Sequence, residues 1–205
     1  MPNRNYYLIP YIILFLLTLL VWSLIDHGDE VLFLNLNRNA FFDAFFKIWT
    51  YMGDGIFVGI CMIALVIWRW RLAVVFAVLG LAQFIFAQGL KRLVFSDVPR
   101  PVKYFSGLHE LNLIEGVQHH GSFSFPSGHT ITAFAVATFF AIVFRNNKAI
   151  SILVLIGAIL VGLSRIYLLQ HFLRDVLAGS LIGVVIAIGV FLLFQEYVYK
   201  DKLKQ

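Results

Sequence analysis

Hydrophobic side chains fill six long stretches of the chain, and polar segments separate them. The stretches cover residues 7–25, 48–68, 72–90, 129–144, 149–163 and 176–194. A helix needs about 20 residues, or at least about 17, to cross the ~30 Å hydrocarbon core of a bilayer. The fourth and fifth stretches are shorter than this, so we expect their helices to extend into the flanking residues. The pattern predicts an all-α fold, an integral membrane bundle of about six transmembrane helices.

A different pattern occupies residues 31–50, between the first two stretches. Its aromatic side chains recur at helical spacing, at Phe41, Phe42, Phe45, Phe46 and Trp49. Asp43 and Lys47, four residues apart, share another side of the same helix. This pattern suits a short amphipathic helix in the membrane interface, between spans 1 and 2. A helix packed against the outer end of the bundle would show the same pattern, and this alternative stays open.

The composition agrees with a membrane protein. The 205 residues are 60% hydrophobic and only 13% charged, and their mean hydropathy is +0.86. A soluble domain of this size would need more charge to cover its surface. The one cysteine, Cys61, excludes an intrachain disulfide. The sequence shows no internal repeat, low-complexity tract or second domain, so residues 1–205 are expected to form a single membrane-embedded domain.

The distribution of basic residues predicts the orientation of the bundle. An even number of spans places both termini on one side, where eight basic residues meet only Glu196 and Asp201. These eight are Arg4, Arg69, Arg71, Arg145, Lys148, Lys200, Lys202 and Lys204. The positive-inside rule assigns this side to the cytoplasm. The longer loops, with all six histidines, then face the periplasm or the outside of a multi-pass protein of the inner (cytoplasmic) membrane.

Three outward segments hold most of the chemically reactive side chains. They are residues 91–101 after the third stretch, 125–130 before the fourth, and 164–175 between the fifth and sixth. All three lie at the same face of the membrane in the topology above. They are therefore able to converge on one site although they are far apart in sequence.

The segment 164–175 contains a histidine and a carboxylate at helical spacing. On a helix, His171 and Asp175 would lie on one face, one turn apart. The carboxylate would then accept the Nδ1 proton and leave Nε2 free as a nucleophile. Arg165 could place its guanidinium against the same point. An isolated His–Asp pair more often only caps a helix, so the functional interpretation depends on the other two segments.

The segment 125–130 has the pattern of an anion site. Ser127 and Gly128 precede a long apolar helix, whose first backbone N–H groups and dipole attract anions. Gly128 would allow a phosphate to approach the backbone closely. The Ser127 hydroxyl would be a further donor, or only an N-cap. His129, in the first turn, would lie beside the anion as a general acid.

The segment 91–101 contributes positive charge. Arg100 stands between Pro99 and Pro101, which stiffen the backbone, and its guanidinium would bind phosphate oxygens bidentately. Lys91 or Arg92 would neutralise further oxygens. Basic residues at the end of a span also meet lipid head groups, and this alternative is stronger for Lys91 than for Arg100.

Together the three segments resemble the signature of the type 2 phosphatidic acid phosphatase (PAP2) superfamily. That signature is a Lys…Arg-Pro motif, then Pro-Ser-Gly-His, then Ser-Arg-x5-His-x3-Asp. Residues 126–129 and 164–175 match the last two motifs without change, and the resemblance covers most of the chain from Leu72 onward. The family usually has six residues between the lysine and Arg-Pro, whereas eight separate Lys91 from Arg100 here. A bulge near residues 96–97 would absorb the difference, or Arg92 would replace the lysine.

The resemblance implies a metal-independent lipid phosphatase that works in two phosphoryl-transfer steps. His171 would form a phosphohistidine, Asp175 would fix the tautomer of His171, and His129 would be the general acid and then activate water. The phosphate ligands would be Lys91, Arg100, Ser127, Gly128 and Arg165. No metal ion or other cofactor is expected. His109, His119 and His120 could be proposed as metal ligands, but a solvated loop is the preferred interpretation.

The implied partners are a membrane lipid phosphate and the bilayer itself, with no nucleic acid. Related bacterial enzymes act on undecaprenyl diphosphate, phosphatidylglycerophosphate, phosphatidic acid or lipid A phosphates, and the first two are preferred here. We expect the loop 102–125, with Lys103, Tyr104, His109 and Glu110, to distinguish head groups. Two alternatives stay open: a lipid phosphotransferase of the same superfamily, and a small transporter. A transporter would place its ionisable residues nearer the bilayer midplane.

Overall fold

Helices account for all the regular structure of residues 6–199, the range that the computed structural model describes. In chain order they are α1 (Leu8–Leu24), α2 (Asp29–Leu36), α3 (Ala40–Trp49), α4 (Gly55–Gly89), α5 (Pro101–Tyr104), α6 (Gly128–Val143), α7 (Lys148–Tyr167) and α8 (Leu173–Tyr199). A 3-10 turn, Thr50–Gly53, precedes α4, and a π turn, Leu90–Val94, follows it. The predicted all-α class is confirmed. The terminal charges used to predict the orientation (Arg4, Lys200, Asp201, Lys202 and Lys204) lie outside the described range.

Helix α4 consists of two arms that fold back on each other. Its backbone breaks at Arg69, where φ is −154° and ψ is 88°. Gly55 near one end and Lys91 just beyond the other line the same cavity. A straight helix of 35 residues would separate its ends by about 52 Å, so it could not bring them together. The second and third hydrophobic stretches are therefore separate antiparallel arms, 55–68 and 70–89, as the sequence predicts.

Length and composition identify three helices that are able to cross a membrane: Gly55–Val94, Lys148–Tyr167 and Leu173–Val198. A fourth candidate is α1 together with α2, which are bent by 96° relative to each other, and α6 is a shorter apolar helix. With α4 divided into its two arms, the described residues contain all six apolar segments. The count of six complete spans stays a prediction.

The observed helix bounds correct the predicted ones at several ends. Helix α7 extends to 20 residues, as expected for a short stretch, but α6 has only 16, so that expectation is wrong for α6. The helix of the second hydrophobic stretch, which is the first arm of α4, begins later than predicted, at Gly55 rather than at residue 48. The carboxylate of Asp54 accepts a hydrogen bond from the Gly55 N–H and caps the helix there (2.5 Å).

The amphipathic helix predicted between the first two spans is α3. Phe46 is buried and its ring lies 4.8 Å from that of Tyr167 on α7. Phe41 and Ile48, on the other side, are each 71% exposed. Helix α3 therefore packs against the bundle with one face and offers large apolar side chains to its surroundings with another. Its position in the membrane interface stays a prediction.

The centre of the bundle is the packing of α6 against α8. Small residues on both helices allow their backbones to approach closely, as is common between membrane helices. A Cβ atom on Gly183 would lie only 2.4 Å from the Ile131 carbonyl oxygen and 3.0 Å from the Ala135 nitrogen. Since both neighbours are backbone atoms of α6, a side chain here would push the helices apart.

We therefore expect Gly183→Ala to destabilise the protein by about 1–3 kcal/mol, the usual cost of overpacking. Its midpoint of thermal unfolding in detergent should fall by several degrees. Gly189→Ala is the matched control, because it lies on the same helix and a Cβ atom there meets nothing within 4 Å. An equal loss of stability in both variants would contradict this account of the α6–α8 contact.

Candidate active site

A cavity of about 870 Å³ lies where the two ends of α4 meet the start of α6 and the end of α7. Six of the eight residues that the sequence assigns to the site line this cavity: Lys91, Arg100, Gly128, His129, Arg165 and His171. The other two, Ser127 and Asp175, are fully buried directly behind it. The three sequence segments thus converge, as their common position at one end of the bundle predicts.

His171 lies in the connection between α7 and α8, and not on a helix as its spacing from Asp175 suggested. Its backbone N–H donates to the Arg165 carbonyl oxygen (3.1 Å), and the residue is 1% exposed. Burial lowers the pKa of the His171 imidazole to about 3, with Arg100 and Arg165 acting in the same direction against the contact with Asp175. At neutral pH the ring is therefore uncharged and keeps a lone pair for attack.

Asp175, in the first turn of α8, is held by donors besides the histidine. Its Oδ2 accepts hydrogen bonds from the Ser124 hydroxyl (2.5 Å) and the Phe172 N–H (3.0 Å). The same oxygen lies 3.5 Å from His171 Nδ1, which is too long for a normal hydrogen bond. Catalytic hydrogen bonds are often long without substrate. The carboxylate is thus rigidly placed beside the ring that it is predicted to orient.

His129 lines the cavity from the first turn of α6. The 3-10 turn before α4 packs directly against it: a Cβ atom on Gly53 would lie 3.0 Å from His129 Cβ and 2.8 Å from its carbonyl oxygen. Only a glycine allows this approach. Because His129 and His171 line the same cavity, one imidazole is able to attack a phosphorus while the other exchanges a proton with the leaving group.

The guanidinium groups of Arg100 and Arg165 are fixed by hydrogen bonds that use only some of the N–H donors of each group. Arg100 donates from Nε to the Ser122 carbonyl oxygen (3.0 Å) and from Nη1 to Gln170 Oε1 (2.8 Å). Arg165 donates from Nη1 to the Thr50 hydroxyl (2.6 Å). Within the described residues, the buried Nε of Arg165 has no hydrogen-bond partner. Both side chains are therefore held in place with N–H groups left for an anion.

Lys91 and Arg92, the two candidates for the first basic ligand, differ in position. Lys91 lines the cavity, and a Cβ atom on Gly128 would lie 4.0 Å from its Nζ. Arg92 is exposed, and its Nε donates to Gln88 Oε1 (3.2 Å). The π turn Leu90–Val94 also contains both residues, so part of the extra spacing before Arg100 is absorbed there, upstream of the bulge expected near residues 96–97.

Ser127 differs from its predicted role in one respect. Its backbone N–H donates to the Asp175 carbonyl oxygen (3.1 Å), so this amide is not available to a phosphate. Its hydroxyl accepts a hydrogen bond from the Thr130 hydroxyl (2.8 Å) and makes no capping bond to α6. A direct contact between the Ser127 hydroxyl and substrate stays a prediction.

Sequence reasoning missed three residues that position the site: Thr50, Ser124 and Gln170. Each acts on a partner distant in sequence, and each is a common polar residue with no motif of its own. The part of the loop 102–125 that lines the cavity differs from the part expected to distinguish head groups, and that expectation stays a prediction. The loop residues that line the cavity are Gly116, Val117, Gln118 and His120, whereas Lys103, Tyr104, His109 and Glu110 lie outside it.

The family follows from the match between this chain and known proteins. The profile of the PAP2 superfamily matches residues 68–199, well over half of the chain. The chain belongs to the PAP2 superfamily. The matched region begins at the bend of α4 and contains all eight residues assigned to the site.

Individual members of the superfamily are similar to this chain over different lengths. Phosphatidylglycerophosphatase B of Bacillus subtilis (strain 168) is 35% identical over 95 residues, 42% of this chain and 44% of that protein. Lipid A 4'-phosphatase of Bacteroides thetaiotaomicron is 27% identical over 158 residues, 75% of this chain and 70% of that protein. The match to the B. subtilis protein thus spans less than half of its length.

A crystal structure of LpxE from Aquifex aeolicus has the same fold. The two structures give a TM-score of 0.69 at 28% sequence identity, over 80% of this chain and 94% of that chain. This agreement confirms the all-α membrane architecture predicted from the sequence.

The positions of Lys91 and Arg92 predict different effects on anion binding. Lys91→Gln should weaken binding of orthovanadate, a phosphate analogue, by roughly 10- to 100-fold. A hydrogen bond to a charged group contributes about 1.5–3 kcal/mol, and ~1.4 kcal/mol is tenfold in affinity. Arg92→Gln, the adjacent control, should bind like the wild type. Calorimetry in detergent measures both, and a greater loss for Arg92→Gln would reverse the assignment.

Proposed function

We propose that this chain is a membrane lipid phosphatase that transfers the phosphoryl group of a lipid to His171 and then to water. The observation that carries the proposal is the arrangement inside one cavity: a buried, uncharged imidazole faces three cationic side chains at the end of an apolar bundle. An anion is the natural ligand of such a cavity, and a nucleophile is already in place within it.

In the first step, Nε2 of His171 attacks the phosphorus, and the bond from phosphorus to the lipid oxygen breaks. Lys91, Arg100 and Arg165 stabilise the charge on the phosphoryl oxygens, which is the main source of catalysis in phosphoryl transfer. The first amides of α6, at Gly128, add a further anion contact. Burial lowers the pKa of the free His129 imidazole, so the negative charge of the bound phosphate has to favour its protonation. The protonated His129 then gives its proton to the departing lipid oxygen.

In the second step, His129 accepts a proton from water, whose oxygen attacks the phosphohistidine. The nitrogen–phosphorus bond breaks, inorganic phosphate leaves, and His171 is regenerated as a neutral imidazole. Asp175 keeps the ring in the tautomer that presents Nε2. Neither step needs a metal ion, because Lys91, Arg100 and Arg165 supply the positive charge.

The proposed substrate is a lipid phosphate, as the names of the similar B. subtilis and B. thetaiotaomicron proteins suggest. Undecaprenyl diphosphate, phosphatidylglycerophosphate, phosphatidic acid and lipid A phosphates all satisfy the requirement for a phosphate on an apolar chain. The cavity continues between the arms of α4, where Val58 and Phe84 line it, so a hydrocarbon chain has an apolar path toward the bilayer. Release of phosphate without a second lipid would distinguish hydrolysis from phosphotransfer.

Substitutions of the two histidines should affect turnover in different ways. His171→Ala should abolish turnover and the covalent intermediate, because no other side chain presents the attacking nitrogen. His129→Ala should slow turnover by about 10²–10⁴-fold, the usual contribution of general acid–base catalysis. The loss should be smaller for an aryl phosphate, whose leaving group needs little protonation. His109→Ala, an exposed histidine outside the cavity, is the matched control.

The intermediate is measured by stopping turnover of ³²P-labelled lipid and recovering the protein. Label on a phosphohistidine is lost in acid and is stable in base. We expect label on the wild type or on His129→Ala and none on His171→Ala. Label on His171→Ala, or near-normal turnover by it, would exclude His171 as the nucleophile.

We also propose that the site faces the periplasm or the outside of the cell. Ser106→Cys, exposed in the loop after α5, should react from outside with a membrane-impermeant thiol reagent. Asn146→Cys, exposed at the opposite end of the bundle between α6 and α7, should not. Both belong in a Cys61→Ala background, because Cys61 is the only native thiol. The opposite labelling pattern would place the chemistry in the cytoplasm.

A further inference from the structure

Gln83 is a buried polar residue in an apolar helix. From Leu72 to Ala87, it is the only polar side chain in the second arm of α4. It is 7% exposed, and among the described residues its Oε1 has no hydrogen-bond partner. Gln83 also lines the large cavity that contains the phosphate-binding cations. None of the three sequence segments contains it, and the phosphatase steps do not use it.

Such a residue is costly unless it binds something. A buried polar group without a partner destabilises a protein, and a leucine would suit the same position in a membrane helix. Polar residues within membrane helices that face a cavity usually contact a ligand. The amide of Gln83 is therefore a candidate contact for a polar group of the substrate.

The depth of Gln83 restricts which part of the substrate could reach it. Gln83 precedes Lys91 by eight residues, about 12 Å along the helix toward the centre of the bilayer. On the opposite wall, the cavity is lined by Thr132, four residues and about 6 Å deeper than Gly128. When Lys91 holds the phosphate, the lipid part of the substrate, and not its head group, therefore lies at the level of Gln83 and Thr132.

The candidate lipids differ in chemistry at that level. A polyprenyl chain has only carbon and hydrogen beyond its phosphate, so it offers no partner to an amide. An acylated glycerolipid has ester carbonyl oxygens a few bonds from phosphorus. A glutamine amide has two N–H donors and an acceptor oxygen, and a half-turn about its last bond exchanges them. Its NH₂ group is thus able to donate to an ester carbonyl.

We infer that Gln83 is a specificity-determining residue that hydrogen-bonds an acyl carbonyl of the substrate, so the enzyme prefers acylated lipid phosphates to polyprenyl ones. The inference rests on the proposed phosphatase function and names the substrate class of that site. It assigns the recognition of the lipid to the membrane-embedded wall of the cavity, and not to the outer loop.

The sharpest test compares diacyl phosphatidic acid with its dialkyl ether analogue, which lacks only the carbonyl oxygens. In the wild type, kcat/KM should be about 3- to 10-fold higher for the diacyl lipid, since one neutral hydrogen bond contributes ~0.5–1.5 kcal/mol. Gln83→Leu should lower kcat/KM for the diacyl lipid to the level of the ether and leave the ether unchanged. Gln83→Met, close in length and without hydrogen bonds, should do the same if the leucine variant folds poorly.

Gln195→Leu makes the same chemical change on the exposed surface of α8 and should not alter the diacyl-to-ether ratio. Equal losses on both lipids in Gln83→Met, or no change in their ratio, would overturn the role of Gln83 while leaving the phosphatase proposal intact. If the wild type releases no phosphate from diacyl, ether or polyprenyl substrates, the proposed function fails, and the inference fails with it.

Discussion

Repulsion among like charges is the constraint on which the arrangement of this site depends. Lys91, Arg100 and Arg165 line one cavity, and the two arginines are buried, so the lower dielectric constant there strengthens the repulsion among the three cations. Hydrogen bonds hold the two arginines there: Thr50 fixes Arg165, and Gln170 together with the Ser122 carbonyl fixes Arg100. The repulsion among these three cations lowers the stability of the folded chain, but it leaves them in place for the proposed phosphate. Preorganised charge of this kind needs no rearrangement during the reaction.

Close packing of α6 and α8 connects the fold to this site. A Cβ atom on Gly179 would lie 2.8 Å from the Ser127 carbonyl oxygen, so the glycine allows α8 to lie against the very start of α6. The Ser127 N–H then reaches the Asp175 carbonyl oxygen. At the same end, Glu30 accepts a hydrogen bond from the Leu173 N–H (2.8 Å). The start of α6 and the Glu30 side chain of α2 therefore both bind the backbone at the start of α8, and these contacts help to place the Asp175 carboxylate.

The parts of the site that could be predicted from sequence are those whose structure depends on residues close to one another in the chain. The positions of Gly128 and His129 could be predicted, because the start of a helix is determined by residues next to each other in sequence. Thr50 could not be predicted, because its bond to Arg165 joins residues 115 positions apart. His171 was misplaced on a helix, because the backbone after α7 turns through a left-handed residue, Leu169, with φ 57°. A bulky residue rarely adopts that conformation, so periodicity alone predicts a continuing helix.

The position of the chemistry at the ends of the spans follows from the two phases that the proposed reaction needs. Water must reach the phosphohistidine, so His171 and His129 have to lie near the membrane surface. The lipid chain has to stay in hydrocarbon, so the same cavity must continue between apolar helices, as it does between the arms of α4. A transporter would instead need ionisable groups near the midplane, accessible from both sides in turn. Among the described cavity-lining residues, the charged ones lie at span ends and turns, while the deeper wall offers the uncharged Gln83 and Thr132. This gradient, from cations at the surface to neutral hydrogen-bonding groups and then to hydrocarbon, matches the order of groups along an acylated lipid phosphate.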